Sequence, residues 1–141
     1  MSKEMKKWIA ISVLTIMMIV SMTGCGSTTV SLAEAFSQEQ LEQQATQIVD
    51  WLNEGAYEQV YETFREDMKE ALPVEELKSA CEETYGNAGA VKQVSNIVVN
   101  GQKIDGVDYA TVMLRIEYEN QQVTFQVGYD TDMKVVGLYM K

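Results

Sequence analysis

The chain of 141 residues has no histidine, two cysteines, one proline, and 11 basic residues against 21 acidic ones. Without imidazole it lacks the commonest general base and the commonest transition-metal ligand. Two thiols at most are too few donors for a structural zinc site, so neither a metal nor a cofactor is expected. The shortage of Lys and Arg argues against nucleic acid as a partner, because that binding rests on neutralised phosphates. Long apolar runs are scarce too. The stretch from Trp8 to Met22 is interrupted by Ser12, Thr15 and Ser21, and it stops short of the roughly 20 apolar residues that a spanning helix needs.

Lys3, Lys6 and Lys7 precede that stretch, and Met22-Thr23-Gly24-Cys25 closes it, which is the pattern of a secretory signal. The closing residues resemble the bacterial lipobox, with Met22 where Leu is usual, small Thr23 and Gly24, and then the cysteine. The resemblance implies that signal peptidase reads Met22, Thr23 and Gly24 and cuts before Cys25. It also implies a diacylglyceryl thioether on Cys25, with a further palmitate-like chain on the new amino group. The alternative is an uncleaved amphiphilic anchor in which Cys25 is incidental. Either way the remainder is expected at the cell membrane, on its extracytoplasmic face. Each buried methylene contributes roughly 0.8 kcal/mol, so two fatty chains suffice as an anchor.

Three segments follow: a signal peptide over 1–24, a lipidated cysteine and flexible linker over 25–36, and one α+β domain over 37–141. Cleavage would leave 117 residues with 8 basic and 20 acidic side chains, a net charge of −12. Residues 34–83 hold 14 of those acids and 3 bases, as befits a solvated helical wall; a cationic partner or loosely held divalent ions at that wall is the sharper reading. If Cys25 carries lipid, Cys81 has no partner for an internal disulfide. The linker, fully extended from Gly26 to Phe36, would reach roughly 35–40 Å at about 3.5 Å per residue.

Ser37 with Gln40 has the form of a capping box. Leu41, Ala45, Ile48 and Leu52 then recur at helical spacing before Gly55 supplies a stop. Tyr57, Val60, Tyr61, Phe64 and Met68 carry a second helix to Leu72. Pro73 opens a third, with Val74, Leu77 and Cys81 inward, ending near Gly86.

From Gly89 the period changes to two. Strands are expected over 91–104, 107–118, 122–130 and 133–140, turning at Asp105-Gly106, Asn120-Gln121 and Thr131-Asp132. Two-residue loops pair Ile97 with Leu114, Val99 with Val112, Ile116 with Phe125 and Leu114 with Val127. They also place Val127 opposite Val136, Phe125 opposite Leu138 and Val123 opposite Met140. All three turns give one continuous apolar face, so the sheet is expected to be a four-stranded antiparallel meander under the helices. The other face holds Val98, Met113 and Tyr139, the basis for a modest homodimer contact, with Val135 in the same row as Val98.

Within the run from Ile48 to Leu138, Trp51-Leu52-Asn53-Glu54-Gly55-Ala56-Tyr57, the Gly89-Ala90 lead into the sheet and the closing Val136-Gly137-Leu138 resemble the domain of unknown function 3887 family. That family is similar to the nuclear transport factor 2-like α+β cone. The resemblance implies fold and hardly any chemistry. Some members of the wider group are isomerases or dehydratases with Asp, His or Tyr in a conical pocket, and this chain would have to manage with Tyr and carboxylates. Asp108, Arg115 and Glu117 are assigned to the solvent face, so no catalytic residue is identified.

Gly86-Asn87-Ala88-Gly89 lacks the Lys-Ser/Thr ending of a phosphate loop. Asp130-Thr131-Asp132 lacks the later ligands of a calcium loop and reads as a hairpin turn. The walls of any pocket are expected to be apolar: Val112, Leu114, Ile116, Phe125, Val127 and Leu138 from the sheet, and Trp51, Tyr57 and Tyr61 from the helices. They suit either a filled core or an apolar small molecule. The function expected is a lipid-anchored binding or interaction domain, for a small molecule or a protein partner. A small isomerase is the alternative, favoured by a wet cavity containing a carboxylate.

Cys25→Ala is expected to accumulate as a precursor that keeps residues 1–24. Mass spectrometry of the purified N-terminus checks this; an unmodified Cys25, or a mature start elsewhere, would sink the lipobox reading.

Overall fold

In the computed structural model, which describes residues 27–141, Ser37 opens the first helix as its spacing predicts. The signal peptide, Met22, Thr23, Gly24 and Cys25 lie outside the described residues. The Ser37 hydroxyl accepts the Gln40 N–H at 3.4 Å, and α1 runs over Gln38–Glu54. Gly55 ends it at φ 80°, a left-handed conformation in which glycine meets no Cβ penalty. Leu41, Ala45, Ile48, Val49 and Leu52 form its buried stripe.

The second helix expected from Tyr57 to Leu72 is instead two, α2 over Tyr57–Glu62 and α3 over Glu66–Ala71. Between them Phe64 leaves the helix and bridges Val135 in parallel. Val135 N–H donates to the Thr63 carbonyl at 2.9 Å, and the Val135 carbonyl accepts the Arg65 N–H at 2.9 Å. The Thr63 hydroxyl donates to the Val60 carbonyl at 2.6 Å, closing α2 without proline or glycine. The stripe survives the break, since Val60, Phe64 and Met68 are all buried. Pro73 then caps α4, Val74–Tyr85, which buries Leu77 and Cys81.

The sheet comprises β1 (Ser27–Val30), β2 (Val91–Ile104), β3 (Val107–Tyr118), β4 (Gln122–Tyr129) and β5 (Val135–Met140), antiparallel and in chain order. Its last four strands are the predicted meander, and the class is α+β. At the first turn Asp105 has φ 52° and Gly106 φ 80°, the paired positive angles of a type I′ hairpin. Ile97 therefore meets Leu114, and Val99 meets Val112, as predicted.

The other two ladders are offset by two positions from the predicted register. Leu114 faces Phe125, and Ile116 faces Val123, because the turn closes with Tyr118 N–H on the Gln121 carbonyl and is centred on Glu119-Asn120, one residue earlier than Asn120-Gln121. Phe125 faces Met140, and Val127 faces Leu138, after a wider turn in which Met133 takes φ 61°. An offset of two keeps each side chain on its face, so Val112, Leu114, Ile116, Val123, Phe125 and Val127 are all fully buried. A shift between Gly128 and Tyr129 leaves Val136 as an extra residue and turns Val135 inward. Val135, expected outside, is buried, and Val136, expected inside, is half-buried. The outer row that contains Val98 and Met113 continues through Gln126 to Tyr139.

The expected linker over 25–36 is also corrected. Ser27–Val30 is a strand whose Ser27 stands opposite Ile104 and whose Val30 stands opposite Gly101. Phe36 joins the core at 7% exposure. Strand pairing satisfies backbone groups that a bare tether would leave to water. Among the described residues no helix is long and apolar enough to cross a membrane.

Phe64→Ala is expected to lower unfolding free energy by about 3–5 kcal/mol, since a fully buried ring is removed beside the helix break. Urea unfolding followed by circular dichroism measures it; a loss below about 1 kcal/mol would show that the bridge to Val135 does not depend on the ring.

Candidate functional site

The apolar walls expected of a pocket are core. Val112, Leu114, Ile116, Phe125 and Val127 have no exposed surface and Leu138 has 2%, packed among Leu41, Ile48 and Leu77. Trp51, Tyr57 and Tyr61 are half-buried at the edge of that core. Tyr61 lies against Phe64, with ring centroids 5.9 Å apart, and holds the Lys69 ammonium 5.5 Å from its ring centre. Of the nine expected pocket residues, only Tyr57 lines the cleft at the open end of the core.

That cleft, of about 260 Å³, opens where the core ends, between the last turns of α1 and α4 and the Val91 and Tyr118 end of the sheet. Asn53 comes from the last turn of α1 and Tyr57 from the first turn of α2. Cys81 and Tyr85, four apart on α4, face the same way. Tyr118 closes β3 on the inward parity of Leu114 and Ile116. The Tyr118 hydroxyl donates to Asn53 Oδ1 at 2.6 Å, and the Tyr85 hydroxyl donates to the Leu52 carbonyl at 3.0 Å. The Tyr85 and Tyr118 rings stack at 5.7 Å and 18°, and Tyr85 meets Phe125 edge-on at 5.8 Å. Such pairs are worth about 0.5–1.5 kcal/mol beyond area burial, which fixes the back of the cleft.

Its rim is held by the β3–β4 turn. Asn120 N–H donates to the Ala88 carbonyl, the Gln121 amide donates to the Thr84 carbonyl at 2.7 Å, and Ala90 N–H donates to Glu119 Oε1 at 2.7 Å. Gly89 sits at φ 85°, where an added Cβ would lie 2.9 Å from Glu119 Cβ. The Gly86 to Gly89 stretch is thus a helix stop and connector.

Burial pushes the Cys81 thiol up to about 11 and the Tyr118 phenol up to about 12. Tyr57 and Tyr85 are raised too, chiefly by burial. All four groups are neutral near pH 7, and exposed Glu82 is the carboxylate among the lining residues. Cys81 Sγ lies 3.8 Å from Met140 Sδ, inside the core and without the electropositive surroundings that activate a thiol.

The carboxylates lie elsewhere. Asp50 is exposed on α1. Arg115 and Glu117 keep the outer parity assigned to them, but Asp108 does not. It shares the parity of Ala110 and Val112, beyond the helix layer, and pairs with Lys103 at 3.8 Å. Asp130 accepts the Asp132 and Lys134 N–H groups on Oδ1 at 3.0 and 2.9 Å and has Arg65 at 3.5 Å. It organises its turn. Among the described residues no three His, Cys, Asp or Glu side chains gather as metal ligands. The buried hydroxyls of Tyr129 and Thr111 have no hydrogen-bond partner among the described residues. They lie on opposite faces of the sheet, so they build no common site.

Sequence reasoning missed Asn53, Tyr85 and Tyr118 as cleft residues. Tyr118 carried a usable signal, since it continues the alternation of Val112, Leu114 and Ile116, and Tyr85 follows Cys81 by one helical turn.

The family described as protein of unknown function (DUF3887) matches residues 45–138. The NMR structure of a protein from Ruminococcus gnavus ATCC 29149 is similar at 26% identity and TM-score 0.67, over 78% of this chain and 96% of that one. No curated protein matches.

Because the Cys81 pKa is raised on folding, its contribution to stability is complete below the unfolded value near 9 and disappears as pH rises through about 11. Unfolding free energy is therefore expected to fall above about pH 9, and Cys81→Ala should flatten the first part of that fall. Urea titrations between these pH values check it; identical pH slopes in the two proteins would contradict a buried neutral thiol.

Proposed function

The chain belongs to the DUF3887 family, proteins of unknown function, and from that premise we propose that it is a lipid-anchored extracytoplasmic protein whose domain binds a small, neutral, aromatic or apolar molecule. The cleft carries the binding part of the reading. Its depth presents three tyrosines, a thiol and an amide, all uncharged near pH 7. Phenol faces favour stacking, and their hydroxyl edges favour one or two hydrogen bonds.

The volume, about 260 Å³, falls below the usual ligand-pocket range of about 300–1,000 Å³, which limits the ligand to a small ring system. A charged ligand would lose its hydration there without a counter-ion in the depth of the cleft. The anchoring part rests on Lys3, Lys6, Lys7 and the Met22-Thr23-Gly24-Cys25 box. The arrangement of helices over a meander, with an opening at one end, suits the nuclear transport factor 2-like cone.

A panel of small neutral aromatic, aliphatic and charged compounds titrated into isotope-labelled protein tests the binding. Shift changes from the neutral aromatics are expected to cluster at Asn53, Tyr57, Tyr85, Ala90 and Tyr118, and to weaken about tenfold or more in Tyr57→Ala through loss of packing. Dispersed changes, or an equal response to charged compounds, would count against the reading. Seating of a partner protein's side chain would show as shifts at the same residues with a peptide but with none of the compounds.

A further inference from the structure

The short strand β1 settles where the chain enters the fold. It runs antiparallel to β2 with Ser27 opposite Ile104, the last residue of β2 before the Asp105-Gly106 turn. Cys25 stands two residues before Ser27, and two residues span about 7 Å at most. An anchor on Cys25 would therefore be tied beside the tip of the β2–β3 hairpin.

That tip is shaped for a surface. Val107 is 48% exposed, Ile104 is half-buried, and Gly106 has open space around its missing side chain. Lys103 faces Asp108 at 3.8 Å, so those two charges offset each other and exposed Asp105 leaves the tip with one net negative charge.

The other end of the sheet is remote. β3 begins at Val107 and ends at Tyr118, and eleven steps of about 3.4 Å put the cleft roughly 37 Å from the tip. We propose that the anchored protein stands on its β2–β3 hairpin, with Ile104 and Val107 at the headgroups of a phospholipid bilayer and the tyrosine cleft turned away from the membrane. The inference rests on lipid attachment at Cys25. Given that attachment, the cleft samples solutes of the surrounding aqueous space, not lipids of the bilayer that holds it.

The test uses the full chain purified from membranes and reconstituted into vesicles of phosphatidylcholine and phosphatidylglycerol containing a spin-labelled lipid. Val107→Cys and Asn120→Cys variants are labelled with a small fluorophore. Cys81 is buried and stays unlabelled, and Cys25 is blocked by its thioether. Quenching is expected to be several-fold stronger at position 107 than at 120. Inserting about ten Gly/Ser residues between Gly26 and Ser27 adds a flexible span of roughly 15–20 Å, which should abolish the contrast while leaving the protein on the vesicles. Equal quenching at both positions in a vesicle-bound protein with lipidated Cys25 overturns the orientation and leaves anchoring intact. A contrast that survives the insertion overturns its origin in the short tether. Protein that fails to sediment with vesicles and has a bare Cys25 removes the anchoring, and the orientation with it.

Discussion

Along β3 and β4, alternate side chains from Ala110 to Tyr118 and from Val123 to Tyr129 are withdrawn from water onto one side of the sheet. Helices α1 to α4 exist in their observed places because they cover that side. At roughly 25 cal/mol per Å² of apolar area, this burial is the main favourable term set against chain entropy. It also sets the limits of the fold. Phe64 abandons a helix in order to reach Val135 on the last strand, and the cleft opens where the apolar rows end at Tyr118.

The alternation itself was legible from sequence, because a period of two depends only on the order of side chains. The Asp105-Gly106 hairpin was legible too, since two adjacent positive φ angles demand particular residues. The ladders on either side of β4 were not. Asn120 bonds to the connector that follows α4 and Gln121 to Thr84 in the last turn of α4, so their turn is placed by tertiary contacts that local chemistry does not encode. The break after Thr63 is of the same kind: Phe64 and Arg65 are acceptable in a helix, and only the distant Val135 makes leaving it better. The N-terminal strand was hidden for a further reason, since Ser27-Thr28-Thr29-Val30 is short and polar and gains order only from β2.

The cleft was less legible than the fold. Its lining comes from the ends of five elements, α1, α2, α4, β2 and β3, and helix and strand ends are where periodic patterns stop carrying information. Its chemistry contrasts with the acidic helical wall. Residues 34–83 hold 14 acids, yet the cleft offers phenols and a thiol that burial keeps protonated. Charge for solubility thus lies on the helical wall, apart from the neutral surface in the depth of the cleft.

The first ten residues of β2, Val91–Asn100, lie beyond the reach of β1, and their outer side has no strand partner among the described residues. A bare edge of this length is ordinarily a template on which identical chains stack into growing fibrils. Here the ladder to β3 slips between Val91 and Gln93 and again between Val94 and Asn96, so the edge is kinked twice. Lys92 puts a charge beside the first kink. A second chain laid along it would lose hydrogen-bond registry within a few residues, so these irregularities disfavour stacking along the edge. Straightening either one by deleting a residue would lengthen the regular stretch open to such pairing.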